Sequence, residues 1–100
     1  MPNGNEVRPN KWSNIIDLYD SGKYSAIWGT YDGNKGVLGV RWNGGDKQGF
    51  PNQGKNPTWY IEPDFIVKNI LLELLYKVNQ DNNSGNIENI LQALREFKEK

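Results

Sequence analysis

Between residues 14 and 42 the chain carries three runs rich in β-branched and aromatic residues, separated by two glycine-bearing turns. That pattern predicts an antiparallel β-meander. The first run holds Asn14, Ile16 and Leu18 and ends in Asp20-Ser21-Gly22, where glycine supplies the left-handed residue of a three-residue hairpin loop. Pairing Tyr19 with Lys23 across that loop sets Leu18 against Tyr24 and Ile16 against Ala26. The second run, Tyr24 to Tyr31, turns through Asp32-Gly33-Asn34-Lys35-Gly36 into a third, Val37 to Trp42.

Strand side chains alternate between faces, so parity sorts these residues. Even positions give Ile16, Leu18, Tyr24, Ala26, Trp28, Leu38, Val40 and Trp42, an uncharged set pairing large residues with small ones, and the expected core face. Odd positions give Ile15, Asp17, Tyr19, Ser25, Ile27, Gly29, Tyr31, Val37, Gly39 and Arg41.

Residues 43–57 hold four glycines and two prolines and read as a long loop, a length usually functional or disordered inside a compact domain. A short strand, Thr58-Trp59-Tyr60-Ile61, follows, and Glu62-Pro63-Asp64 opens a helix, with proline and an acid suited to the first turn. In that helix Phe65, Ile66, Val67, Ile70, Leu71, Leu72, Leu74, Leu75, Tyr76 and Val78 leave only a narrow polar stripe. Such a helix needs cover on nearly two sides. A second helix, about Asn86 to Lys98, offers it through Ile87, Ile90, Leu91, Leu94 and Phe97. The expected fold is a two-layer α+β domain: a four-stranded, mostly antiparallel sheet with both helices on its even face. Residues 1–11, polar with two prolines, read as a flexible tail, and residues 12–100 as a single domain.

The composition removes most chemistry. With no cysteine and no histidine, disulfides, Cys or His metal sites, thiol nucleophiles and histidine triads are excluded. Acid–base catalysis would fall to Asp17, Asp20, Asp32, Asp46, Glu62 or Asp64; Asp20 and Asp32 suit turns, Glu62 and Asp64 suit a helix start, and every acid has a structural explanation available. No glycine pattern matches a phosphate-binding loop or a dinucleotide fingerprint. Aligning Gln80 to Leu91 as a calcium loop puts Gly85 in place but leaves the first and last ligand positions without carboxylates. Lys35 to Trp42 resembles the start of an RNA-recognition strand, yet Val37 and Gly39 stand where stacking aromatics are needed. The expectation is therefore a non-enzyme with no metal and no cofactor. No basic-then-apolar leader or membrane-length apolar stretch is visible, so the expected location is cytoplasmic.

The segment Leu38-Gly39-Val40-Arg41-Trp42-Asn43-Gly44, then Gly49-Phe50-Pro51, then Asn56-Pro57-Thr58-Trp59-Tyr60-Ile61-Glu62-Pro63 resembles a pattern of small uncharacterised bacterial proteins, over about a quarter of the chain. The resemblance implies a prokaryotic or mobile-element origin and no particular activity. Inhibitors and immunity proteins of mobile elements share this size and lack of catalytic equipment.

With both helices on the even face, the odd face is left as an apolar contact surface. The expected function is a non-catalytic protein-interaction module, binding a protein partner or a second copy of itself, through Tyr19, Ile27, Tyr31, Val37 and Arg41, with Lys47, Phe50 and Trp59 from the adjoining loop and strand. Trp28 and Trp42 are assigned to the core; Trp12 and Trp59 stay open. Two alternatives are a single-stranded nucleic-acid binder stacking bases on Tyr19 and Tyr31 beside Lys23, Arg41 and Lys47, and a sugar or small-ligand binder using residues 43–57. Zero net charge, from twelve basic and twelve acidic residues, weighs against nucleic acid, whose phosphates dominate such affinity.

Overall fold

The computed structural model describes residues 7–44, 49–54 and 56–99. Strands β1 (Trp12–Asp20), β2 (Tyr24–Tyr31) and β3 (Asn34–Trp42) form the meander. A small separate hairpin of β4 (Asn52–Gln53) and β5 (Asn56–Pro57) lies within the glycine-rich segment, and β6 (Tyr60–Ile61) joins the main sheet beside β3. The order is β1-β2-β3-β6, antiparallel throughout. Helices α1 (Asp64–Gln80) and α2 (Ile87–Lys98) follow, joined by one 3₁₀ turn at Asn82–Ser84. The fold is α+β, as the sequence pattern predicts.

Ala26 pairs with Val40 and Trp28 with Leu38, so parity holds through β2 and β3. In β1 it fails. Ile16 lies opposite Trp28, not Ala26, and Tyr19 opposite Ala26, with pairing irregularities between Ser13 and Ile16 and between Asp17 and Tyr19. Each irregularity places an extra residue in β1 and shifts which side chains face inward. Asn14, at φ 51°, absorbs the first. Trp12 and Ile15 therefore reach one face, while Ile16, Leu18 and Tyr19 reach the other.

The first core lies between the sheet and the helices. Leu18, Ala26, Trp28, Leu38 and Val40 meet Val67, Leu71, Leu74 and Val78 of α1 and Ile90 and Ala93 of α2. The Trp28 indole N–H donates to Glu96 Oε1 at 2.9 Å, satisfying the one polar atom of a large buried ring. Two contacts anchor the start of α2 on β1. Asn86 caps the helix by accepting from the Asn89 N–H at 3.0 Å, and its own N–H donates to the Leu18 carbonyl at 2.9 Å. Just before it, Gly85 bridges to Tyr19, so close that a Cβ there would run into the Leu18 carbonyl. Only glycine fits that approach.

A second core occupies the opposite face. Val7, Trp12, Ile27 and Trp59 are buried together, with Ile15, Tyr31 and Val37 packed around them. Trp12 packs on Tyr31 with ring centroids 5.3 Å apart, and its ring lies over Gly39, where a Cβ would sit 3.0 Å from it. The Trp59 indole N–H donates to the Val7 carbonyl at 2.9 Å. The expected tail thus differs over residues 7–11. Val7 is only 3% exposed, Arg8 pairs with Asp17 at 2.8 Å, and the Asp32 N–H donates to the Lys11 carbonyl. The rest of that expectation, residues 1–6, lies outside the described residues. Among the described residues no helix is long and apolar enough to cross a membrane.

Candidate functional site

The odd face of the sheet is not open. Ile27 and Arg41 are each 1% exposed and Trp59 is 4%, so none of the three is a contact residue in the folded chain. Tyr31 and Val37 are half-buried against the second core. Tyr19, carried across by the second irregularity in β1, packs on the first core instead. Lys47 lies outside the described residues. Of the predicted contact set, Phe50 is exposed, at 63%.

Arg41 shows why the face closes. Its Nη1 donates to the carbonyl oxygens of Pro51, at 3.0 Å, and Thr58, at 2.6 Å. A charged donor satisfying backbone acceptors holds an irregular segment that has few ladder bonds of its own. Burial pushes the guanidinium below its ordinary pKa. Neighbouring Asn43, also buried, donates from Nδ2 to Ser25 Oγ at 2.8 Å and from its backbone to the Lys23 carbonyl at 2.7 Å. The end of β3 is thereby fixed to the β1–β2 turn.

The surface left open is on the helix side. Trp42, expected in the core, is 57% exposed and is not among the residues of the helix-side core. The pairing register makes it the centre of an aromatic corner. Tyr24 pairs with Trp42 across β2 and β3, and Phe50 bridges to Trp42 from the other side through two backbone hydrogen bonds of 2.7 and 2.9 Å. Directly paired residues present side chains on the same face. Tyr60, opposite Val40, adds an exposed ring one row along. The Tyr24 and Trp42 rings stand 4.7 Å apart at 65°, edge to face. Burial, and then the Glu62 carboxylate, push the Tyr24 hydroxyl above its ordinary pKa.

A second apolar surface runs along the outside of α1. Val67, Leu71, Leu74 and Val78 turn into the core, while Phe65, Leu72 and Tyr76 remain exposed, Phe65 at 86%. At 3.6 residues per turn these three lie within about 40° of one another and opposite the buried row. Ile70 and Leu75, which flank the buried row, are partly buried against the core, and this outer stripe stays exposed. The breadth of the apolar pattern in α1 was visible in the sequence; which side stays bare is set by tertiary packing.

The carboxylates are dispersed. Asp17 holds Arg8, Asp20 Oδ1 accepts from the Gly22 N–H at 2.8 Å, and Asp81 Oδ1 accepts from the Asn83 N–H at 3.1 Å. Asp32 sits in the β2–β3 turn and Asp64 in the first turn of α1; Asp46 lies outside the described residues. Among the described residues no group of three or more acidic side chains converges as a metal site. Trp12 and Trp59, the indoles open for a ligand platform, are both buried. Known family models, curated proteins and solved structures give no match to this chain.

Proposed function

We propose that the protein is a non-catalytic binding module that engages another protein, or a second copy of itself, through the outer face of α1. The observation that carries this reading is a helix apolar on two opposite sides with one of them, Phe65, Leu72 and Tyr76, facing solvent. Exposed apolar stripes of this kind cost solubility without stabilising the monomer, and interaction sites are where they are retained. Dispersal of the carboxylates into turns, helix starts and an ion pair supports the non-catalytic part. A cytoplasmic location, a bacterial or mobile-element origin and an inhibitor or immunity-type role belong to the same proposal.

Leu72→Glu tests it, since the substitution is at an exposed position and leaves both cores intact. Light scattering across a concentration series reads self-association, and affinity capture from host lysate reads a foreign partner. The expected result is loss of whichever association the parent chain shows, at an unchanged urea midpoint. Association unaffected by Leu72→Glu and by Phe65→Glu refutes the assignment to α1. The nucleic-acid alternative has lost its motivating pair, because Tyr19 and Tyr31 pack into opposite cores.

A further inference from the structure

We infer that the outer face of α1 docks against the same face of a second copy of the chain, the two helices lying parallel about a two-fold axis. This rests on the α1 reading above and names its partner.

Along that face Phe65, Asn69, Leu72, Tyr76 and Asn79 follow one another at spacings of four, three, four and three residues, and all five are exposed. That is the order of a coiled-coil seam, with Phe65, Leu72 and Asn79 at d positions and Asn69 and Tyr76 at a positions. Two heptads are fewer than isolated helices need to pair. Here, however, Val67, Leu71, Leu74 and Val78 already hold α1 helical against the first core, so association has no helix to nucleate.

Two features select a second copy and its orientation. On the flanks of the seam, Lys68 takes a g position and Glu73 the e position five residues on, both exposed. In a parallel pair a g residue faces the e residue of the next heptad on the other helix. Each copy's Lys68 then meets the other's Glu73, and the two-fold axis makes the contact twice. In an antiparallel pair g faces g and e faces e. The remaining flank residues, Ile66, Leu75 and Gln80, carry no charge, so that arrangement forms no ion pair. Within one helix, five residues set Lys68 and Glu73 about 140° apart. Among the described residues neither makes an ion pair in its own chain. Asn69 supplies the second feature. In parallel register an a residue meets its own counterpart, where two asparagine amides satisfy each other. Antiparallel registers that cover Phe65 set Asn69 against an apolar side chain instead.

Sedimentation equilibrium of the full chain, carried to millimolar concentration, reads the association, and a monomer–dimer equilibrium is expected. Lys68→Glu and Glu73→Lys each oppose like charges at both symmetric contacts and weaken the dimer about tenfold or more; the double exchange restores it to within about threefold. Unchanged urea midpoints show that these exposed substitutions leave the fold intact. Cross-linking reads the orientation. The chain has no cysteine, so Asn79→Cys gives one thiol per copy. Parallel pairing brings the two thiols within disulfide reach, whereas antiparallel pairing along the seam holds them about 15–25 Å apart. Oxidation of Asn79→Cys is expected to give a covalent dimer. A chain monomeric throughout overturns the inference and leaves α1 to a foreign partner. A dimer insensitive to Leu72→Glu refutes both readings. A dimer lost in Leu72→Glu but not rescued by the double exchange, or not cross-linked through Asn79→Cys, overturns the parallel pairing and leaves the α1 reading standing.

Discussion

Arg41→Met removes the group on which the second layer depends, and its cost follows from the contacts. The guanidinium is buried and donates to the Pro51 and Thr58 carbonyls. Hydrogen bonds from a charged donor contribute about 1.5–3 kcal/mol each, and a buried carbonyl left without a donor costs about 1–3 kcal/mol. Methionine returns about 1–2 kcal/mol by filling the vacated space with apolar surface. The net expected loss is about 3 kcal/mol. For a domain of this size that corresponds to a fall of about 12–24 °C in Tm, read by circular dichroism and by urea titration. Arg41→Lys keeps the charge but ends one atom short, so an intermediate loss is expected. Amide hydrogen exchange supplies the local readout: protection falls around Thr58 and Trp59, whereas α2 exchanges as before until global unfolding. A loss below about 1 kcal/mol, or exchange that rises equally in both layers, refutes the role given to Arg41.

Gly85→Ala forces a Cβ into the Leu18 carbonyl, so α2 must withdraw from β1; a loss of about 2–4 kcal/mol is expected by urea denaturation, and a neutral result would show that the bridge to Tyr19 gives way cheaply. Hydrogen bonds from Gln92 and Trp28 hold the Glu96 carboxyl below its ordinary value of 4.5 in the folded state. The stability this contributes is fully present above the unfolded-state value and is lost as pH falls through the lower folded-state one. Urea midpoints measured from pH 7 to pH 3 should therefore fall less steeply in Glu96→Gln than in the parent chain, and parallel curves would remove Glu96 from the account.

Much of this architecture is written locally. Glycine and aspartate at the two turns, period-two alternation in β2 and β3, and the width of the apolar pattern in α1 each specify an element from neighbouring residues. The register of β1 is not so written. Asn14 carries a positive φ with no glycine to announce it, and a one-residue insertion in a strand transfers side chains between faces. The second core was hidden for a related reason. Val7 and Trp59 come from irregular segments with no periodicity, 52 residues apart, so nothing in the sequence says that they meet. Arg41 reads as a contact residue from its charge, yet it is buried because backbone carbonyls, invisible in a sequence, converge on it. Trp42 likewise shares the parity of Leu38 and Val40 and yet stays outside the helix-side core.

The two cores differ in when their parts become available. Val7, Trp12, Ile15, Ile27, Tyr31, Val37 and Trp59 all precede α1, so a chain emerging from the ribosome holds every member of the second core once Ile61 is out. The first core waits for Ile90, Ala93 and Phe97. During synthesis the sheet can thus be clasped on its loop-covered face while its helix-facing side is still bare. The Trp59 indole, held to the Val7 carbonyl, ties together a half of the molecule whose residues all precede the helices in the chain.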